Sequence, residues 1–310
     1  MNGLTGLQLP AAPTAPLGAT LAAAAPGASS PAAVALRVIR RTESIDPSPS
    51  LLRLEQALRR GDSNALRLGR LIEGSPALAA RVLRLANSAY YAPRVPIVGL
   101  NRAVILLGDT MLRQLVLATL ITGRQASSRT PRQSLAAARL LGDAVRSAAV
   151  CRALADITRI ASPDEAFAAG LLHDLGRIYL LDERDDEYTE YVMGSAGLLD
   201  SLDEELRLRG TTHTEVGRAF AEEWHLPEAI REVLAGHHDP QPRTLAAVAA
   251  ASDWIVRELN ARSGDDPEQI AAHVATALEA VGVSAERWAR RVPEVVEEYA
   301  ELLSVFDVVS

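Results

Sequence analysis

The sequence holds a single cysteine, Cys151, in 310 residues, which excludes an internal disulfide and any zinc site built from several thiolates. Its neighbours Ala148, Ala149 and Val150 make it read as a small core residue, and cysteine this sparse fits a reducing cytoplasm. Aromatic residues make up only 4% of the chain, so a core has to be built from Ala, Leu and Val. No apolar run reaches the roughly 18 residues needed to cross a bilayer, and the N-terminus lacks the basic stretch of a secretory signal. Cytoplasmic residence and no membrane partner are therefore expected. Positive charge is in short supply too, with 32 Lys+Arg against 39 Asp+Glu and a net charge of −7. Nucleic acid is not expected as the main partner, because phosphate contacts require a concentrated basic surface.

What the chain does have is helical punctuation. Residues 1–33 are rich in Ala, Pro, Gly, Ser and Thr, offer little apolar area against the entropy of ordering, and read as a disordered leader. From Val34 onward, apolar residues recur at helical spacing: Ala65, Leu68 and Ile72, then Leu78, Val82 and Leu85, then Leu100, Val104 and Leu107 up to a stop at Gly108. A helix through Met111 and Leu115 follows, completing an N-terminal helical part over residues 34–125. The polar stretch Arg124–Arg132 separates it from a second part over 132–262. There a long helix to about Asp156 is followed by one from Pro163 into His173, and by further helices at about 187–200, 213–224, 227–237 and 243–260. Residues 265–310 read as a C-terminal helical extension, whose Glu297, Glu298 and Glu301 suggest a solvated acidic face. No strand alternation appears, so the expected class is all-α, a multi-helix bundle with an N-terminal helical subdomain.

Several polar residues interrupt apolar helix faces. His173 follows Ala166 and Ala169; Asp174 follows Phe167 and Gly170; His213 opens a stripe of Val216, Gly217, Phe220 and Trp224. His237 ends a stripe of Ile230, Val233 and Leu234 with His238 beside it, and Asp253 sits among Ala249, Ala250 and Val256. Inward imidazoles and carboxylates are costly without partners, and a divalent metal would satisfy them together. Nitrogen and oxygen donors without thiolate suit Mn, Fe, Zn or Mg. The same residues also fit plainer roles: His173, His237 and His238 lie near helix C-termini, where an imidazolium is favoured by the helix dipole, and Asp253 could pair with Arg257 one turn on.

The run Ala80-Arg81-Val82-Leu83-Arg84-Leu85-Ala86-Asn87-Ser88-Ala89-Tyr90-Tyr91, the stretch Ile97 to Gly108, and the block from His213 through Trp224, Leu226, Pro227 and Ile230 to His237-His238 together resemble the HDOD family. Leu83, Asn87, Ser88, Tyr90, Trp224 and Pro227 stand at its signature positions. The likeness covers roughly residues 36–260. HDOD proteins are regulatory relatives of the HD metal-dependent phosphohydrolases. In that setting the order His173-Asp174, His213, His237-His238, Asp253 resembles the HD metal-ligand pattern. Taken without the resemblance, Asn87-Ser88 reads as a helix stop, since both side chains compete for backbone hydrogen bonds and Pro93 and Pro96 follow.

The sequence departs from catalytic HD enzymes in three places. Asp143 stands where they carry a further His, and it could instead pair with Arg139 or Arg146. Asp239-Pro240-Gln241-Pro242-Arg243 replaces the Gly-Tyr-Pro loop of the HD-GYP relatives, and Arg177 replaces a Lys. What the resemblance implies is a non-catalytic bacterial signalling module working through contacts with other signalling proteins, often beside cyclic-dinucleotide circuits. The alternative it leaves is a metal-dependent phosphohydrolase or phosphodiesterase, with Asp174 as the candidate catalytic carboxylate.

Overall fold

A computed structural model describes residues 30–43, 65–73, 76–123, 129–181, 186–194, 202–223, 226–260 and 266–306. Residues 1–29 of the leader, Trp224, most of the polar stretch at 124–128 and the end of the helix expected at 187–200 lie outside the described residues. Among the described residues there are helices and no strands, and no helix is long and apolar enough to cross a membrane. The fold is all-α.

The N-terminal part comprises α1 (Pro31–Glu43), α2 (Ala65–Glu73), α3 (Pro76–Ala86) and α4 (Leu100–Gly123). The first helix thus starts at Pro31, three residues before Val34. The expected apolar stripes are inward, with Leu68, Ile72, Leu78, Val82, Leu85, Val104 and Leu107 all buried. The stop at Gly108 is a break inside α4: its φ of 72° and ψ of 171° are non-helical, a conformation that glycine reaches without a Cβ clash. Asn87 does more than end α3. Its amide Nδ2 donates to Leu83 O and Ile97 O, each at 2.8 Å, and its Oδ1 accepts the Ile97 N–H at 2.7 Å. One side chain therefore clamps both ends of the 88–97 loop.

The second part is built on α5 (Pro131–Thr158), started by a capping box in which Thr130 and Gln133 satisfy each other's backbone N–H groups. A second box, Ser162 with Glu165, starts α6 (Pro163–Leu172). Helices α5 and α6 pack along their length, and Gly170 permits it: a Cβ there would lie 2.5 Å from Ser147 O. Around this pair lie α7 (Leu175–Leu181), α8 (Asp186–Met193), α9 (Leu202–Arg209), α10 (His213–Glu223), α11 (Glu228–Gly236) and α12 (Leu245–Leu259).

The extension forms α13 (Pro267–Val281), α14 (Ala285–Ala289) and α15 (Val292–Val305). It is not an appendage. Arg84 of α3 donates to Ser304 O and Val305 O, both at 2.9 Å, and so caps the C-terminal end of α15. The expected solvated acidic face is corrected at two of its three positions. Glu297 is exposed, but Glu298 Oε1 accepts from Arg152 Nη1 at 2.6 Å and Glu301 Oε2 accepts the Ala89 N–H at 2.8 Å. Arg152 itself is fully buried between the Tyr90 and Phe167 rings, its guanidinium carbon 3.7 and 4.0 Å from their centroids. Signature residue Tyr90 thus joins the loop to the bundle, and Ser88 is buried beside it.

Candidate metal centre

The ends of α6 and α11, the start of α10 and the middle of α12 meet at one place. His173 follows the last residue of α6 and His237 follows that of α11; His213 is the first residue of α10, and Asp253 lies within α12. His173, His213 and His237 are 2%, 0% and 1% exposed, whereas the Asp174 and Asp253 side chains retain 17% and 16% and His238 is exposed. The close approach of α7 to α10 depends on Gly176, since a Cβ there would lie 2.0 Å from His213 O.

The hydrogen bonds decide which ring nitrogen points where. His173 Nδ1 lies 2.8 Å from Gly170 O, and His237 Nδ1 lies 2.9 Å from Val233 O. His213 Nδ1 lies 2.6 Å from Glu205 Oε2. All three partners are acceptors, so each Nδ1 carries the hydrogen and each neutral ring presents an Nε2 lone pair. For His173 and His237 the helix-cap and ligand readings are therefore one arrangement: the cap fixes the tautomer that frees Nε2.

Those lone pairs converge on carboxylate oxygens. His173 Nε2 is 2.8 Å from Asp253 Oδ1 and 3.7 Å from Asp174 Oδ2. Asp174 Oδ1 is 3.2 Å from His213 Nε2 and 3.5 Å from His237 Nε2. His213 Nε2 in turn lies 3.3 Å from His237 Nε2 and 3.0 Å from His238 Nε2. Buried His173 Nε2 and Asp174 Oδ1 have no hydrogen-bond partner, as expected of acceptors that face acceptors. Such a set is repulsive until a cation enters it. With neutral imidazoles, Asp174, Asp253 and Glu205 carry three negative charges against one positive charge on Arg177, and the surplus of two matches a divalent ion.

Among the described residues, two groups of donors have the spacing for an ion: Asp174, His213, His237 and His238, and His173, His237 and Asp253. His237 belongs to both. Asp143 belongs to neither and pairs with Arg146 on α5 at 3.5 Å. Of the signature positions, Pro227 is exposed at the start of α11, Leu83 is half-buried and Asn87 is the loop clamp; none is a donor here.

Charge states follow from the same contacts. Burial pulls the His173 imidazole down, but Asp253 and Asp174 outweigh it and raise its pKa to about 9. Burial would raise the Asp174 carboxyl, yet Arg177, His173 and His213 hold it well below the usual range. Without a metal, a proton on His173 supplies part of the missing positive charge, so an entering ion competes with it.

Sequence reasoning missed Glu205. It lies on α9, a helix absent from the sequence-based reading, and is 0% exposed. Its Oε2 accepts from His213 Nδ1 and from the His213 N–H at 2.7 Å; its Oε1 accepts from Tyr188 Oη at 3.0 Å and lies 3.1 Å from Arg177 Nη1. Burial pushes this carboxyl up, but His213 and Arg177 hold it down at about 2. It is the outer carboxylate that orients a ligating imidazole. Arg177 is 0% exposed and bridges Glu205 to Asp174 Oδ2, which lies 3.1 Å from its Nε.

Comparison with known proteins agrees with this architecture. A protein from Treponema pallidum is 25% identical over 254 residues, 76% of this chain, which spans 46% of that relative's length. An HDOD domain protein of unknown function from Geobacter sulfurreducens matches with a TM-score of 0.60 and 26% identity, over 87% of this chain and 97% of its own. A Shewanella amazonensis protein provisionally named a phosphohydrolase shares the fold, with a TM-score of 0.61 and 22% identity over 89% of this chain and 100% of its own. The HDOD domain model itself matches residues 46–240, the span that holds the Asn87 clamp and every donor except Asp253. The chain belongs to the HDOD domain family.

Proposed function

We propose that this chain is a non-catalytic signal-transduction module that binds a divalent metal, Mn, Fe, Zn or Mg, in its histidine–aspartate centre and acts by contact with other signalling proteins. The donors fit such an ion by chemistry and by tautomer. His173, His237 and Asp253 would hold an ion at one position, or Asp174, His213, His237 and His238 at another, the single Nε2 lone pair of His237 serving one ion at a time. Bound there, a metal would supply the positive charge that the buried set lacks and could acidify a water.

The observation that carries the regulatory reading is Arg177. A phosphohydrolase needs cationic groups facing the phosphoryl group, but this guanidinium is buried and committed to Asp174 and Glu205. The three innermost imidazoles are equally closed off. The phosphohydrolase reading is favoured by one feature: Asp174, Asp253 and His238 keep access to solvent. On that reading Asp174 would orient the attacking water and a cyclic dinucleotide or another phosphodiester would be the substrate.

Protein purified without chelator, analysed for Mn, Fe and Zn and assayed on cyclic dinucleotides and generic phosphodiesters, separates the two. Bound metal with no turnover above that of His173→Ala is expected. Metal-dependent turnover that His173→Ala abolishes would overturn the regulatory reading.

A further inference from the structure

Helix α9 is anchored in an unusual way. Among its eight residues the only fully buried side chain is a glutamate, Glu205, while Asp203, Leu206 and Arg207 are exposed and Leu202, Glu204, Leu208 and Arg209 are half-buried. An eight-residue helix is too short to be stable alone, and this one has little apolar area to hold it. Leu208 packs on the core, Arg209 lies over the Tyr188 ring and Arg207 pairs with Glu187, but the fully buried anchor is the Glu205 carboxylate, and all that it meets lies on other elements: Tyr188 on α8, Arg177 on α7, and both the N–H and Nδ1 of His213 at the start of α10.

Two of these partners lead straight to the metal donors. His213 presents Nε2 to the cluster with the same ring that holds Glu205 through Nδ1. A cation on Nε2 draws electron density from the ring and makes Nδ1–H a stronger donor; conversely the carboxylate makes the imidazole a better ligand. Arg177 spans Glu205 and Asp174, so displacement of either carboxylate is felt at the other.

We propose that α9 is the reporter of the metal centre: Glu205 links its docking to ion binding at His213 and Asp174, so that occupancy of the buried site is displayed on the exposed face of α9. This rests on the metal binding proposed above and names how that site would be regulated and read. The linkage is reciprocal: whatever factor the ion contributes to α9 docking, α9 docking contributes to ion affinity. A partner protein gripping Asp203, Leu206 and Arg207 would then tighten or loosen the metal without touching it.

Hydrogen–deuterium exchange on the full chain tests this, with chelator-treated protein compared with protein saturated with Mn²⁺ or Zn²⁺ and metal affinity measured separately by titration. Exchange of residues 202–209 should slow by about 10-fold on metal binding, while α3, which packs on α2, α4 and α15 and on no helix that carries a donor, stays unchanged. Glu205→Gln, which keeps the shape and loses the charge, should weaken metal binding by about 10- to 100-fold and abolish the metal-dependent protection. Tyr188→Phe removes one hydrogen bond from Oε1 but leaves His213; exchange of α9 should rise in both states with the metal-dependent difference retained. Stoichiometric metal binding that leaves α9 exchange unchanged, or wild-type affinity in Glu205→Gln, would overturn the linkage. Failure of the unmodified protein to bind either metal would instead overturn the metal reading itself.

Discussion

Gly176→Ala is the sharpest test of how the centre is assembled. The added Cβ would lie 2.0 Å from His213 O, 2.7 Å from its carbonyl carbon and 2.8 Å from its Cα. Ordinary carbon–oxygen contact begins at about 3.3–3.6 Å, so α7 and α10 must part by over about 1 Å at this point. The obstacle is backbone and cannot swing away. Overpacking of this kind costs about 1–3 kcal/mol, here at the upper end, and the better helix propensity of Ala returns at most about 1. A net loss of about 2 kcal/mol follows. Two glycines from the same half serve as controls. At Gly217 the Cβ would meet Leu234 Cβ at 3.2 Å, and at Gly236 it would meet nothing within 4 Å. Urea denaturation of chelator-treated protein should therefore place Gly236→Ala at or above the unsubstituted protein, Gly217→Ala close to it and Gly176→Ala far below. The displaced α10 also carries the Nε2 that lies 3.2 Å from Asp174, so Gly176→Ala should lose metal affinity beyond its loss of stability. A Gly176→Ala variant within about 0.5 kcal/mol of the unsubstituted protein, the range of a neutral surface change, would refute the close-approach argument.

Two other substitutions probe separate links. Asn87→Ala removes three hydrogen bonds and takes the side-chain partner from both the Ile97 N–H and the Ile97 carbonyl, while Leu83 O keeps the backbone N–H of residue 87; a loss of about 1–3 kcal/mol in denaturant midpoint analysis is expected, with metal content unchanged. Asp253→Ala in metal-free protein removes the main partner of the His173 imidazolium, so the size of the loss depends on pH. A pKa raised from 6.5 to about 9 confers stability that is fully present below pH 6.5 and lost as pH rises through 9. Asp253→Ala should therefore be clearly destabilising at pH 7 and much milder at pH 10, and equal effects at both would show that the pair does not form.

The sequence carried the helices of the apolar stripes because Leu, Val and Ala at positions such as 78, 82 and 85 report burial directly. It also carried the donors, since an imidazole on an apolar face is a visible exception. It could not carry α9. Leu202-Asp203-Glu204-Glu205-Leu206-Arg207-Leu208-Arg209 shows no apolar stripe, and a buried glutamate there looks like any solvated charge. Glu298 and Arg152 were illegible for the same reason: a buried ion pair is set by tertiary neighbours, and each half alone follows the pattern of surface residues. For Asp143 the sequence offered two readings, a ligand position by resemblance or a pair with Arg139 or Arg146 on its own helix, and the structure contains the contact with Arg146.

Everything functional depends on three Nε2 lone pairs held towards shared carboxylates by hydrogen bonds at Nδ1. Anomalous diffraction from crystals grown with Mn²⁺ or Zn²⁺ tests that most directly. The prediction is a peak about 2.0–2.2 Å from His237 Nε2 that also contacts His213 and Asp174, or His173 and Asp253. A metal bound elsewhere with this cluster empty, or these imidazoles turned so that Nε2 carries the hydrogen, would contradict it.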